Sequence, residues 1–312
     1  MRLLLFILFF LRTGSGENCL VMFWNLENLF TTSPYFYKKI NSIAKHVYLA
    51  SEGNLPVLIG ISEIENFQVC WRIANVTSLA PAGYGIVHAD SPDHRGIDVA
   101  LLYRKDRFRL IYKKFYPITD SKGEMVRTRL TLYAKGVLDG LDTLHLVVMH
   151  WPSKWGGEKA TVPAREAAAK VLNIITDSVL NLNSRANILA MGDLNEIADS
   201  SPHSVGVQKM VTRLKLLRPV SSSIRTKGTG GTIRFNGIWE TIDHFLVSEN
   251  MLNRDEPVYC SDSLSSIYSH PLLLERDKVH LGLKPKRSFI GPRYNGGISD
   301  HLPIVLTIKR SW

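Results

Sequence analysis

Seven short apolar runs set the tightest limit on how this chain can fold: Leu20 to Trp24, Val57 to Ile61, Ile97 to Tyr103, Leu144 to Met149, Ile188 to Met191, Ile242 to Val247 and Leu302 to Ile308. Each has the length of a β-strand, and several place apolar residues on consecutive rather than alternate positions. A strand that is apolar on both faces needs a cover on both, so such runs belong to sheets packed between other layers. Helical periodicity supplies the covers. Tyr35 to Ala50 and Gln68 to Leu79 have periodic apolar faces. Val162 to Leu182 is the clearest case, with Ala164, Ala168, Val171, Leu172, Ile175 and Val179 at three- and four-residue steps and Pro163 in the first turn. The expectation is an α/β fold of packed sheets with helices outside.

No internal repeat, low-complexity segment or Pro/Gly/Ser linker divides the 312 residues, so residues 17–312 are expected to form one domain. The first sixteen residues differ. Met1-Arg2 leads into nine apolar residues, Leu3 to Leu11, and then Arg12-Thr13-Gly14-Ser15-Gly16. The run is too short for a bilayer-crossing helix of roughly 20 residues and fits a cleaved signal peptide over residues 1–16. A secreted or periplasmic protein, monomeric and with no membrane span after cleavage, is the expectation. Cleavage removes Arg2 and Arg12 and no acid, so the formal charge of +10 becomes +8. Three scattered cysteines, Cys19, Cys70 and Cys260, allow one disulfide at most and exclude a disulfide framework or zinc cluster. The positive charge favours polyanions as partners: nucleic acid, anionic lipid headgroups or other phosphates. The densest basic stretch, Arg104, Lys105, Arg107, Arg109, Lys113 and Lys114, reads as a hairpin edge. It serves equally as protection of an exposed edge or as a nucleic-acid track.

The chemistry sits at the strand tips. Asn25, Glu63, His150 and the pair Asp193/Asn195 follow four of the apolar runs, while Asp243 and Asp300-His301 open two others. Where neighbouring strands run antiparallel, the exit of one and the entry of the next share a rim, so all these groups can face one crevice. Singly, each is an ordinary turn residue. Jointly, they form an inventory for metal binding and acid–base catalysis on a rigid scaffold.

The motifs Phe23-Trp24-Asn25-Leu26-Glu27-Asn28-Leu29-Phe30, Ser62-Glu63-Ile64-Glu65-Asn66, His150-Trp151-Pro152-Ser153, Gly192-Asp193-Leu194-Asn195, Thr241-Ile242-Asp243-His244 and Ser299-Asp300-His301-Leu302-Pro303-Ile304 follow one another in the chain. In type and order they resemble those of the endonuclease/exonuclease/phosphatase superfamily, over nearly all of the chain after the signal. The resemblance implies a four-layer αββα sandwich of two mostly antiparallel mixed sheets, with its site at one end. It also implies cleavage of phosphate esters with a divalent metal, Mg²⁺ first and Mn²⁺ or Ca²⁺ as substitutes.

Each residue then has an expected task. Glu63 offers a hard anionic oxygen to Mg²⁺, Asn25 resembles the family's amide beside that metal, and Asp300 is an additional ligand. His301 is the general base, because imidazole titrates near neutral pH, and Asp243 takes its other N–H. Asp193 orients the attacking water or shares the metal, Asn195 donates to the phosphoryl oxygen, and His150 hydrogen-bonds the phosphate or protonates the leaving group. Arg95 and Lys154 are candidates for gripping a non-scissile phosphate, the glycines at 228, 230 and 231 for cradling phosphate or making a flexible turn, and Glu65 for a structural role where the strand ends.

The substrate class is less constrained. His150-Trp151-Pro152-Ser153 departs from the Tyr-x-Pro-Asn of abasic-site endonucleases, and Trp239-Glu240-Thr241-Ile242-Asp243 departs from the inositol-phosphate phosphatases. Sphingomyelinases and secreted deoxyribonucleases both use a histidine at this point, and secreted bacterial members share the His-Trp-Pro-Ser. Met149 stands where such members often have Asn, which removes a supporting hydrogen bond. The connector Thr31 to Pro34 is short. On charge alone a secreted nuclease is favoured over a phospholipid or small-phosphate hydrolase; a catalytically silent polyanion-binding protein is the reading of another class.

Overall fold

The computed structural model describes residues 18–201, 204–221 and 229–310. The expected signal segment, Gly228 and the chain's last two residues lie outside them. In chain order the elements are β1 (Cys19–Leu29), α1 (Phe36–Ala50), β2 (Leu58–Ile64), α2 (Phe67–Val76), β3 (Tyr84–His88), β4 (Asp98–Arg104), β5 (Phe108–Tyr116), β6 (Thr131–Leu138) and β7 (Asp142–His150). Then come α3 (Glu158–Leu182), β8 (Asn187–Asp193), β9 (Lys215–Leu216), β10 (Val220–Ser221), β11 (Ile233–Phe235), β12 (Ile238–Glu240) and β13 (Asp243–Val247). The last are β14 (Val258–Tyr259), β15 (Ser265–Ile267), β16 (Leu274–Arg276), β17 (Leu283–Pro285), β18 (Phe289–Ile290), β19 (Arg293–Tyr294) and β20 (Ile304–Arg310).

Two large sheets result, one ordered β10-β15-β20-β1-β2-β4-β3 with β14 beside β20, the other β5-β6-β7-β8-β13-β9, while β11-β12, β16-β17 and β18-β19 pair as separate two-stranded hairpins. They pack face to face because alternate residues of each strand point the same way. Val21, Phe23 and Leu101 of the first sheet meet Leu146, Val148, Leu189, Met191 and Phe245 of the second in one buried cluster. The intervening residues point outward, where Met22, Trp24, Ile59 and Ile61 meet Ile40 and Ile43 of α1 and Ile73 of α2. On the far side Val147, Met149, Ile188 and Ala190 meet Ala168, Leu172 and Ile175 of α3. This is the expected helix–sheet–sheet–helix layering, and it explains the consecutive apolar residues, since both faces of each central strand are covered.

Several details differ from expectation. The basic stretch is not a hairpin: β4 belongs to the first sheet and β5 to the second, so the chain crosses between layers there. Arg104 pairs with Asp106, and Arg107 is buried and grips Asp139 with both Nε (2.8 Å) and Nη2 (2.9 Å). Helix α3 starts at Glu158, four residues earlier than its apolar stripe suggests, so Pro163 lies inside it rather than in its first turn. Cys19, Cys70 and Cys260 are buried, unbridged thiols, each pushed up in pKa by burial.

Gly192 shows how tightly the central strands are set. β7 and β8 pair in parallel, with Met149 opposite Gly192 and His150 opposite Asp193, and a Cβ at Gly192 would lie 2.3 Å from the Met149 carbonyl oxygen. The backbone has to move to admit any side chain there. Gly192→Ala is therefore expected to destabilise the fold by about 1–3 kcal/mol, read as a lower urea midpoint with an unchanged m-value; an unchanged midpoint would contradict this packing.

Candidate active site

Strand direction gathers the polar tips. β1 and β2 run parallel, as do β7 and β8, so Asn25, Glu63, His150 and Asp193 leave their strands at the same end. β13 runs antiparallel to β8 with Asp243 directly opposite Asp193, and β20 runs antiparallel to β1, which puts His301 just before its start on the same rim. Parallel neighbours place exit beside exit, and antiparallel ones place entry beside exit.

Glu63 is aimed by a bulge. Opposite Val99 and Asp98 of β4, strand β2 fits one residue too many between Ser62 and Ile64, and Glu63 takes the left-handed conformation at φ 59°. β1 is irregular at the same level, with Glu27 and Asn28 at φ 46° and 48°, and Asn195 has φ 48°. Left-handed backbone is uncommon outside glycine and is held only where surrounding contacts fix it. β2 thus continues through Glu63, and Glu65 accepts bonds from the Thr31 N–H and hydroxyl, both 2.6 Å, which is the structural role expected of it.

At the centre, His301 Nδ1 lies 2.8 Å from Asp243 Oδ2, and its Nε2 lies 3.7 Å from Asp193 Oδ2. His301, Asp243 and Asp193 each offer one ligand atom within 4.8 Å of the others. Burial alone would lower the pKa of His301, but the carboxylates of Asp243 and Asp193 and the hydrogen bond that His301 donates to Asp243 outweigh it and hold it well above the usual value. Asp193 is pushed upward, chiefly by burial. Its position is fixed by Asn25 Nδ2 (2.9 Å to Oδ2) and the Asn195 N–H (3.0 Å to Oδ1). His150 Nε2 stands 3.4 Å from Asp193 Oδ2 and 3.9 Å from Glu63 Oε1. Burial, followed by the cations Arg129 and Arg95, drives the His150 pKa well below normal, so this imidazole is neutral at pH 7.

The other expected residues are placed as follows. Glu63 Oε2 accepts the Asn28 N–H at 2.9 Å, while Oε1 holds no hydrogen bond among the described residues and has Arg95 Nη1 at 3.6 Å. Asn25 Oδ1 accepts the Glu27 N–H at 2.9 Å, so both ends of this side-chain amide organise neighbours. Asn195 Nδ2 donates to the Trp151 carbonyl at 3.0 Å and keeps a second N–H. Asp300 pairs with Arg287 at 3.1 Å, and Lys154 with Glu158 at 2.8 Å and Glu240 at 3.9 Å. Gly231 serves close backbone approach: a Cβ there would be 2.4 Å from the Glu240 carbonyl oxygen. The oxygen-rich donors suit a hard divalent ion, and the open Glu63 Oε1 is a natural first ligand.

The sequence profile of the endonuclease/exonuclease/phosphatase family matches residues 27–310. The chain belongs to this family. Among solved structures, a family protein of Bacteroides thetaiotaomicron superposes with a TM-score of 0.62 at 14% identity, covering 94% of this chain and 98% of that one. The human Nocturnin catalytic domain with bound sulfate gives 0.60 at 15%, covering 94% of each chain, and D. rerio TDP2 complexed with a single-strand DNA product gives 0.58 at 14%, covering 94% and 99%. No curated protein matches the sequence. At these identities the structural likeness shows the fold.

Several residues of this family member's site escaped the sequence reading. Arg129, almost fully buried, donates to Asp93 Oδ2 (3.2 Å) and to the Trp151 carbonyl, while Asp93 also takes the Arg95 N–H at 2.9 Å. Glu27 binds Arg287 Nε (2.7 Å) and the Ser288 N–H (2.9 Å). Lys39, on the buried face of α1, donates to the Glu27 carbonyl at 2.7 Å; burial lowers its pKa to about 8 against the opposing pull of Glu27, Asp300 and Glu63. Glu27 lies inside a recognised motif, so its position was visible; Arg129 sits in a stretch that carries no pattern, and the periodicity around Lys39 marks only the apolar face of its helix.

The proton linkage of the dyad is testable without a substrate. A histidine whose folded pKa is raised contributes stability in full below its unfolded value of about 6.5, and that contribution is lost as pH rises through the folded value. In chelator, wild-type stability is expected to fall as pH rises above about 6.5, with the slope reduced in Asp243→Asn. Urea unfolding at several pH values measures it; identical slopes would contradict the pairing.

Proposed function

We propose that this protein hydrolyses phosphodiesters by attack of a water molecule with the aid of a divalent metal, Mg²⁺ first, and that residues 1–16 direct its export. The observation that carries the reading is the buried cluster of His301, Asp243, Asp193 and His150 at the mouth of the two sheets. Such a cluster contains every group that ester hydrolysis needs, which disfavours a silent polyanion-binding protein.

A metal held by Glu63, with Asp300 and Asn25 as the further candidates, would supply positive charge to the phosphoryl oxygens. The protein's own groups do the rest. His301, tethered through Nδ1, takes a proton from water through Nε2 only in its neutral form, so turnover is expected to rise with pH through its raised pKa, and Asp243 stabilises the imidazolium that forms. Asp193, fixed by Asn25 and Asn195, orients that water. His150 is neutral, so it serves as a hydrogen-bond donor to a phosphoryl oxygen rather than a store of acid, and Asn195 offers its spare N–H beside it. Arg95, beside Glu63, is placed to meet a neighbouring anionic group.

Charge alone favoured nucleic acid, and D. rerio TDP2 is a relative with a DNA product. The geometry of this chain leans toward the phospholipid alternative. Arg104 and Arg107 lie at the end of the sandwich away from Glu63, since Leu58, where β2 begins, pairs with Tyr103, and both are matched by carboxylates. A hairpin with an apolar tip, β11–β12, is tied to the site at its foot, where Ile233 bridges His301.

His301→Ala and Asp193→Ala are each expected to slow hydrolysis of bis-p-nitrophenyl phosphate by about a hundredfold or more, with the circular-dichroism spectrum unchanged. EDTA should abolish turnover and Mg²⁺ restore it. Wild-type rates in either variant, or turnover that survives EDTA, would overturn the assignment.

A further inference from the structure

Two β-hairpins beside the crevice share a chemistry that phosphoryl transfer does not use. β11 and β12 are joined by Asn236 and Gly237, at φ 46° and 82°, the pair of positive values that Asn-Gly supplies in a type I′ turn. Phe235 and Ile238 flank this turn, 68% and 66% exposed. β16 and β17 are joined by residues 277–282, where Val279 and Leu281 are 79% and 76% exposed. Single exposed apolar residues are ordinary, but four large ones on two touching turns are not.

The turns form one unit. Gly237 packs so closely on His280 that a Cβ would come within 2.8 Å of the His280 Cβ. Arg234 clamps both hairpins, donating from Nε to the Gly237 carbonyl (3.0 Å) and from Nη1 to the carbonyls of Leu281 (2.7 Å) and Leu283 (2.9 Å). Asp277 is buried and accepts the N–H groups of Val279 and His280, so its carboxylate is spent inside the turn. Arg276 and Lys278 are exposed, with no ion pair among the described residues. The foot of the first hairpin is built into the site: Ile233 bridges His301, the Leu302 N–H donates to the Thr232 carbonyl at 2.7 Å, and Thr232 Oγ1 accepts the N–H groups of Ile242 and Asp243.

We propose that these two tips dock the protein on an anionic lipid surface and thereby hold the crevice at that surface. The inference rests on the phosphodiesterase reading only for what docking achieves, and it places the substrate's phosphodiester at a lipid–water boundary. The shape chooses the partner. Side chains that each project mostly into solvent would require four separate pockets in a protein partner, and a stable protein interface buries about 800 Å² on each side. A fluid bilayer accepts such side chains one at a time. Exposed Arg276 and Lys278 beside the apolar tips add attraction to anionic headgroups that salt weakens.

The test is co-sedimentation of the purified protein with vesicles of phosphatidylcholine alone and of phosphatidylcholine containing phosphatidylserine. Wild type is expected to pellet with the anionic vesicles and less with the neutral ones. The combined variant Phe235→Ser, Ile238→Ser, Val279→Ser, Leu281→Ser should partition at least tenfold less, and Arg276→Glu with Lys278→Glu at least threefold less. All three proteins should turn over soluble bis-p-nitrophenyl phosphate at the same rate. No sedimentation of wild type, equal sedimentation with both vesicles, or undiminished binding of the quadruple variant would overturn the proposal. So would a dimer in sedimentation equilibrium, or retention of single-stranded DNA, that the quadruple variant loses while its vesicle binding persists. Vesicle binding by a protein inert toward the soluble ester would defeat the phosphodiesterase reading and leave docking standing.

Discussion

The architecture depends on two buried hydrogen bonds that cross from one sheet to the other at the mouth of the sandwich. His301 belongs to the first sheet's end and Asp243 to the second's, and they meet at 2.8 Å; Asn25 of β1 meets Asp193 of β8 at 2.9 Å. Through the middle of the sandwich the contact between the sheets is apolar, at the far end Arg310 of β20 meets Asp139, and at the mouth these bonds fix one relative position. In low-dielectric surroundings an unmatched partner would be costly, so packing and polar pairing must agree. Three further bonds hold the arrangement: Trp24 Nε1 donates to the His301 carbonyl at 2.9 Å, and Ser299 Oγ donates to the backbone carbonyl of Asn25 while accepting the His301 N–H. The site is therefore a structural joint as well as a candidate reaction centre.

Much of this was legible in the sequence. Consecutive apolar residues in Val21 to Trp24 and Leu146 to Met149 announced strands covered on both faces, and the polar residue that ends each run marked the rim. What periodicity could not show was how layers exchange. The chain from Arg104 to Arg107 looks like a hairpin turn because both flanks are strand-like, yet it passes from one sheet to the other, a choice made by tertiary packing. Bulges were equally hidden: Glu63 lies in a run that reads as an ending strand, and only its pairing with β4 shows that the strand goes on. Arg129 and Lys39 carry no local signal because their importance comes from distant carboxylates and carbonyls.

Charge has a different meaning once the partners are known. A surplus of cations suggests a polyanion, but Arg107 is spent on Asp139, Arg129 on Asp93, Arg165 on Glu196 and Arg287 on Glu27 and Asp300. Arg165 and Glu196 are fully buried, and Glu196 is next in sequence to Asn195, so this pair steadies the loop that carries it. Net charge thus describes long-range attraction and leaves specificity to the few groups that face the crevice.

If His301 and Asp243 act as one proton-accepting unit, their contributions to catalysis must not multiply. The decisive measurement is a double-mutant cycle on kcat/KM with bis-p-nitrophenyl phosphate, comparing Asp243→Asn, His301→Ala and the two combined. The account predicts that the combined variant is no slower than His301→Ala alone, within about threefold. A combined loss equal to the product of the two single losses would mean that the residues act independently and would contradict it.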